Sequence, residues 1–545
     1  MSPIRHPLLP VVMLVLFPAA AAAQAAEDHV HALPEKLGGV HFATSCASTV
    51  GPAFERGVAL LHSFGYGPAS AAFAAVAAQD PGCAMAQWGI AMSNIHVIWG
   101  PTTEAEFAAG REAARKAAAL TAGSGRERDY VAAVNAFYQG DGVAHPARVL
   151  AFEQAMAKVA ERNPQDHEAA IFHALALLGV AYSSPPDKTY ARQKQAAEIL
   201  NRLLPLEPEH PGIAHYMIHA FDYPGLAELA LPAARAYARI APSSPHALHM
   251  PSHIFTRLGL WQESIDSNLA SAEAARRWMA KTHPGATSFD DLHAMDYLEY
   301  AYLQTGRDAP AREIRDRVAA VTSFDVPQFA AAYALAAVPA RYALERRAWK
   351  EAAALALGPP SFPWDRFPYA EAIVHFARAV GAARSGDLET ARAAAAKLAA
   401  IQRALQGQKG FDWATQIEIQ HRAAAGWLAH AERRDDDAVT LLRAAADLED
   451  TTDKHPVTPG AVLPAREQLA DLLAELGRPG AALAEYEASL RTSPARFRAV
   501  WGAAQAADRS GATAKAKAYY AQLVELGGSG GSPRSEVAEA RTRSR

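Results

Sequence analysis

The sequence predicts an all-α fold in which helix-turn-helix units stack into a right-handed α-α superhelix. Two observations lead to this prediction. Alanine is by far the commonest of the 545 residues, and it is accompanied by many Leu, Glu and Arg, which also favour helix. Glycines and prolines recur at a spacing of 34 residues, as at Gly225 and Gly259 or at Pro208 and Pro242. A repeat of that length is typical of helix pairs that stack on one another.

The composition limits the kinds of partner that the chain is expected to have. With 50% hydrophobic residues the chain can bury a large core, and it is too long for one ordinary globular domain. A net charge of −4, from 53 basic and 57 acidic residues, argues against a nucleic-acid partner. No internal stretch is long and apolar enough to span a membrane.

Residues 1–25 are predicted to be a signal peptide. Arg5 precedes an apolar run from Leu8 to Phe17, and small residues such as Ala23 and Ala25 fit a signal-peptidase site. A retained membrane anchor is the alternative. We therefore expect a periplasmic or secreted protein that has no membrane contact once the signal is removed. Residues 26–49 are polar and irregular, and they are predicted to precede the helical region.

The two cysteines, Cys46 and Cys83, are expected to form a disulfide, because an exported chain meets oxidising conditions. In the chain-entropy model a bridge across this loop stabilises the fold by roughly 4 kcal/mol. Two buried thiols or a pair of metal ligands are the alternatives, although this spacing makes no zinc motif.

The clearest repeats lie near the carboxyl end. Gly477 falls at a turn, Ala482 follows in the second helix and Pro494 comes after it, while Gly511 and Ala516 repeat the first two positions 34 residues later. Glycine permits the tight turn, alanine lets the helices approach closely, and proline ends the second helix. This pattern resembles the tetratricopeptide repeat family.

The resemblance extends over residues 50–525, most strongly in the last third and around residues 190–275, and it implies a continuous solenoid without a separate catalytic domain. Residues 183–188 read as an inserted loop. Residues 527–545 are rich in glycine and serine and are predicted to be disordered.

Four histidines share the 34-residue spacing. His215 and His219 form one pair, and His249 and His253 form the second. Each pair has i, i+4 spacing, which places both rings on one face of a helix. In the tetratricopeptide family, the positions ten and six residues before the turn glycine line the concave surface. The resemblance therefore implies that these four rings face a common groove, where they could bind a transition metal ion.

Other residues could complete such a site. His246 and His293 both stand 13 residues before a turn glycine, and Asp296 occupies the next equivalent of His215 and His249. Asp222 could orient an imidazole through a hydrogen bond. Pro251 is expected to kink the helix between His249 and His253.

Two functional hypotheses follow. In the first, an exported repeat protein binds a transition metal through groove histidines, for metal handling or for metal-dependent chemistry on a small ligand. Copper, zinc and iron are not distinguished, and no catalytic residue is assigned. The alternative is a periplasmic scaffold that holds a peptide or protein in the groove without metal. The sequence leaves open the oligomeric state and whether the loop at residues 183–188 plugs the groove.

Overall fold

Helices joined by short turns account for most of the chain after residue 50. The computed structural model describes residues 35–98, 100–120, 124–408, 410–528 and 531–545. The predicted signal peptide and residues 26–34 lie outside these ranges. In the described ranges, no helix combines the length and the apolar character needed to cross a membrane.

The amino-terminal part contains eight helices among its described residues. They are α1 (Gly51–His62), α2 (Tyr66–Gln79), α3 (Ala84–Met92), α4 (Glu104–Leu120), α5 (Gly125–Tyr138), α6 (His145–Arg162), α7 (His167–Ser183) and α8 (Ala191–Leu203). A short 3-10 turn, Ser48–Val50, precedes α1.

The middle part carries the histidine-rich segment. Its helices are α9 (Pro211–Phe221), α10 (Ala227–Ile240), α11 (Pro245–His249), α12 (Pro251–Leu258), α13 (Trp261–Thr282), α14 (Phe289–Gln304), α15 (Asp308–Ala319), α16 (Phe329–Glu345) and α17 (Trp349–Ala353).

The carboxyl-terminal part continues the stack. Its helices are α18 (Pro368–Ser385), α19 (Leu388–Leu405), α20 (Trp413–Ala431), α21 (Asp435–Thr451), α22 (Ala465–Glu475), α23 (Pro479–Thr492), α24 (Phe497–Arg509), α25 (Thr513–Gly528) and α26 (Ser535–Arg543). A 3-10 turn, Trp364–Arg366, precedes α18.

The helices stack in the manner of a solenoid. Consecutive helices pack as hairpins, and alternate helices from α14 through α16, α18, α20 and α22 to α24 also contact one another. Small residues allow this close packing: a Cβ placed on Gly89 would lie 2.4 Å from the ring of Phe73. The predicted all-α superhelix of tetratricopeptide-type repeats is therefore confirmed.

The buried hydrophobic residues form two cores. One extends from Leu37 to Phe255, and the other from Trp261 to Ala540. Helices α9 to α14, which carry the paired histidines, lie where the two cores meet.

The loop of residues 452–464, between α21 and α22, enters the concave side of the stack. Its Lys454 reaches Asp222 after α9, and the ring of His455 lies 4.2 Å from that of Phe329 on α16. Lys188, in the inserted loop at residues 183–188, forms an ion pair of 2.9 Å with Asp453. The groove is thus occupied by the loop of residues 452–464, and the inserted loop supports that loop from outside.

Both ends of the solenoid are fastened by contacts distant in sequence. The predicted disulfide is present, with the Cys46 and Cys83 sulfur atoms 2.00 Å apart. The prediction of a disordered tail over residues 527–545 was wrong for most of that range: α26 is helical and Val537 on it is fully buried. Arg534 donates from Nε to Asp308 at 3.1 Å, which fixes the tail on α15. Composition could not reveal this contact because its partner lies 226 residues away.

Candidate metal centre

Two clusters of three histidines lie on helices α9 to α14. Triad A consists of His215, His219 and His246, and triad B consists of His249, His253 and His293. Within each triad, one ring nitrogen from each residue lies within 4.8 Å of the other two. Each triad therefore presents three nitrogen ligands to one point in space.

The two triads use the same positions of successive repeats. The turn glycines are Gly225, Gly259 and Gly306. Each triad takes its i, i+4 pair from ten and six residues before one turn glycine, and its third histidine from 13 residues before the next. The repeat thus explains why two similar clusters lie side by side.

The distances within the triads suit a shared ion. The Nε2 atom of His215 lies 3.1 Å from that of His219 and 3.1 Å from that of His246. The Nε2 atoms of His249 and His253 are 3.0 Å apart. Two nitrogens that bind one ion tetrahedrally at 2.0–2.1 Å are separated by about 3.3 Å. A small outward movement of each ring would therefore admit an ion.

Hydrogen bonds on the outer side of triad B fix the proton positions. The Nδ1–H of His249 donates to Asn268 Oδ1 at 2.6 Å, and that amide is oriented because its Nδ2 donates to the carbonyl of Ser264 at 2.7 Å. The Nδ1–H of His253 donates to Asp222 Oδ2 at 3.1 Å. In neutral rings both Nε2 atoms are then unprotonated. Their lone pairs face each other, an arrangement that a cation between them stabilises.

Triad A has a comparable outer partner. The Nδ1–H of His215 donates to the backbone carbonyl of His62 at 2.7 Å, which leaves Nε2 free to bind a metal. The His62 ring is itself held by Glu168, at 2.9 Å from Nε2, and by the Tyr216 hydroxyl, at 2.9 Å from Nδ1. His210 contacts the other oxygen of Glu168 at 2.9 Å. This second group of buried histidines is satisfied internally and supports triad A from behind.

Burial keeps the six imidazoles neutral. Burial lowers the pKa of every one of them, and neighbouring imidazoles lower it further. Asp222 opposes the shift only at His219 and His253. Neutral imidazole is the form that binds metal, so the site needs little proton release at neutral pH.

One aromatic ring covers each triad. The centroid of Phe64 lies 4.4 Å from that of His215, and 5.6 Å from those of His219 and His246. Tyr297 covers triad B in the same manner, with centroid distances of 4.8, 5.0 and 5.4 Å to its three histidines. These rings exclude water and restrict the imidazoles to a narrow range of orientations.

Asp222 is the carboxylate that orients His253, and two cations hold it. Lys454 Nζ lies 2.9 Å from its Oδ2, and Arg257 Nε lies 2.8 Å from its Oδ1. Although burial alone would raise it, these cations hold the pKa of Asp222 well below its usual range. The carboxylate therefore stays ionised beside triad B.

Both triads open onto one small cavity of about 20 Å³. Its walls are Ile98, His219, His246, Met250, His253, His293, His455, Pro456 and Val457. His455 also lines a larger cavity of about 640 Å³ on the concave side. Aromatic residues of that chamber include Trp261, Tyr300, Tyr333, Tyr369 and Trp413. The loop of residues 452–464 thus forms the wall between the histidines and a chamber large enough for a small molecule.

The structure brings together all six histidines that the sequence singled out, but it divides them into two sets of three. The interruption at Met250, where α11 gives way to α12, is the expected effect of Pro251. Asp296 joins neither triad among the described residues. Its Oδ1 accepts from Arg341 at 2.7 Å, a buried partner on α16 that the local sequence pattern could not reveal.

Sequence reasoning identified Asp222 as an orienting residue and missed Asn268, the His62 carbonyl and Lys454. Asn268 lies 19 residues from the histidine that it orients, on α13, where the helical spacing alone contains a weak signal. His62 and Lys454 come from distant parts of the chain, and no local pattern points to them.

Comparisons with known proteins leave the family open. No family model matches the chain, and no curated protein matches it. Human IFIT1 bound to PPP-AAAA is similar with a TM-score of 0.37 and 12% identity, over 80% of this chain and 89% of that one. The Cut9–Hcn1 hetero-tetramer of APC/C is similar with a TM-score of 0.32 and 10% identity, over 91% and 90%. The fold assignment rests on the helices of the chain itself.

Proposed function

We propose that this chain is an exported helical-repeat protein that binds two transition metal ions, one at triad A and one at triad B, for metal handling or metal-dependent chemistry on a small ligand. The single observation that carries the proposal is the pair of unprotonated Nε2 atoms of His249 and His253, 3.0 Å apart. A buried site with two lone pairs in contact is stabilised by a cation between them.

The contents of the groove favour metal binding over the scaffold alternative. A tetratricopeptide scaffold holds its partner on the concave side, and here the loop of residues 452–464 occupies that side. An extended peptide would have to displace Lys454 from Asp222 and His455 from its contact with Phe329. The chamber beyond His455 suits a small ligand better than a polypeptide.

The ligand set narrows the choice of metal without fixing it. Three neutral imidazoles suit copper, zinc, iron and nickel, and disfavour calcium and magnesium, which require oxygen ligands. Three protein ligands also leave a fourth position open, as in metal sites that act on a ligand.

Elemental analysis of the protein, purified from the compartment to which its host exports it, tests the proposal. We expect two ions per chain. His219→Ala and His253→Ala should each remove one ion, and the double variant should remove both. His375→Ala provides the matched control, because His375 lies on α18 and pairs with Glu371 at 3.2 Å.

Circular dichroism should show the same helicity for all variants. A wild type that binds no transition metal when incubated with copper, zinc or iron would contradict the proposal. Retention of two ions by the double variant would also contradict it.

A further inference from the structure

We infer that the two ions form a single dinuclear centre and share one small anionic ligand, such as hydroxide, bound in the cavity between the triads. This inference rests on the proposed metal binding and adds to it the link between the two ions and the class of the ligand that joins them.

The cavity connects the two triads. His219 and His246 from triad A and His253 and His293 from triad B line the same space of about 20 Å³. A volume of this size holds about one water-sized molecule. Since each triad supplies three nitrogens, the open coordination position of each ion faces that space. One ligand atom there lies within reach of both ions.

The charges of the surroundings require an anion. The six imidazoles are neutral ligands, so two bound divalent ions retain their full positive charge. Asp222 is the carboxylate next to triad B, and it is already paired with Arg257 and Lys454. Asp296 is paired with Arg341 at 2.7 Å. Buried charge is tolerated only when it is compensated, and the protein groups that contact the triads do not supply that compensation.

The remaining walls of the cavity select a small anion. Ile98, Met250 and Val457 contribute apolar side chains, and the rigid ring of Pro456 closes the same side. These residues offer no side-chain donors to a large oxyanion such as phosphate or sulfate. A monoatomic or diatomic oxygen ligand, or a linear triatomic anion placed along the line between the ions, is what the space admits.

Copper(II) and azide are suitable probes of the centre. Divalent copper has the highest affinity in its series for nitrogen sites, and each copper(II) ion carries one unpaired electron. If one ligand bridges the two ions, their spins couple and the protein loaded with two copper ions loses its electron paramagnetic resonance signal. Azide should then replace the bridging ligand and produce a charge-transfer absorption that saturates at one azide for every two copper ions.

Variants separate the inference from the proposed function. His253→Ala should keep copper only at triad A, and the signal of one uncoupled copper ion per chain should appear. His375→Ala should bind two copper ions and remain silent like the wild type. Val457→Phe should fill the cavity and weaken azide binding at least tenfold while both ions stay bound.

Two copper ions per chain that give the full signal of two separate ions, or that bind two azides, would overturn the inference and leave the proposed metal binding intact. A chain that binds no copper would overturn both. If Val457→Phe fails to fold, the comparison between wild type and His253→Ala still decides the matter.

Discussion

Lys454 Nζ and Asp222 Oδ2 lie 2.9 Å apart, although 232 residues separate them in the chain. The same carboxylate oxygen accepts the Nδ1–H of His253 at 3.1 Å. The loop of residues 452–464 is therefore joined to triad B through one carboxylate. The position of that loop and the orientation of a metal-binding ring depend on each other.

Asp222→Asn should weaken metal binding at triad B. The amide keeps the size of the side chain but no longer favours the His253 tautomer with its proton on Nδ1, and outer partners of this kind contribute about 10- to 100-fold to affinity. Competition with a chromophoric chelator measures the two dissociation constants. Triad A should change little.

Asp436→Asn is the matched control, because the Asp436 side chain is fully exposed on α21. Equal affinities at both triads in Asp222→Asn would show that Asp222 does not orient His253 for binding.

Gly212→Ala should destabilise the fold by about 1–3 kcal/mol through overpacking. A Cβ at this position would lie 2.6 Å from Nδ1 of His62, whose backbone carbonyl orients His215. Chemical denaturation measures the free energy of unfolding, and metal affinity at triad A should fall with it.

Gly480→Ala tests the same substitution where nothing lies within 4 Å of the new Cβ, on α23. That variant should gain roughly 0.5–1 kcal/mol from the higher helix propensity of alanine. If Gly212→Ala were equally stabilised, the close approach of His62 to α9 would be excluded.

Glu449 should make the free energy of unfolding depend on pH. Burial raises the pKa of Glu449 to about 7 from an ordinary value of 4.5, while a hydrogen bond from the Ala465 N–H opposes the shift. Between these values the folded chain keeps a proton that the unfolded chain has lost. The stabilisation is complete below pH 4.5 and is lost as the pH rises through about 7.

The change across that window amounts to at most about 3 kcal/mol, at about 1.4 kcal/mol for each pKa unit. Urea denaturation at pH 5 and pH 8 should show this loss in the wild type relative to Glu449→Gln. A constant difference between the two proteins across that range would contradict the assignment.

Removal of the disulfide should destabilise the amino-terminal end. The bridge between Cys46 and Cys83 closes a loop of 37 residues, and the chain-entropy model gives about 4 kcal/mol for a loop of this length. Replacing both cysteines with serine and measuring thermal unfolding tests this value. Metal content should be unchanged, because neither cysteine contributes to a triad.

Much of the fold and half of the site's logic follow from local patterns. The turn glycines gave the repeat, and counting back from Gly259 and Gly306 identified His246 and His293 even though those glycines are 47 residues apart. The extra length lies in α13, Trp261–Thr282, which is longer than its counterparts. Counting from each glycine remains correct because the insertion falls after the turn.

The division into two triads could not be predicted, since it depends on how far successive helices rotate against each other. Asp296 holds the position equivalent to His215 and His249, and the pattern alone made it a candidate ligand. Its actual partner, Arg341, comes from the next helix pair. The loop of residues 452–464 was equally hidden, because its contacts with Asp222 and Phe329 join distant parts of the chain.

The row of metal-binding positions ends on both sides for visible reasons. Gly212 stands 13 residues before Gly225, where a third histidine would extend the row, and the ring of His62 fills that space. Asp296 and Tyr300 end it at the other side, bound to Arg341 and Arg496. Because every triad joins two successive repeats, an array designed on these three positions would hold one ion fewer than it has repeats, and a chain of evenly spaced ions could be built by adding units.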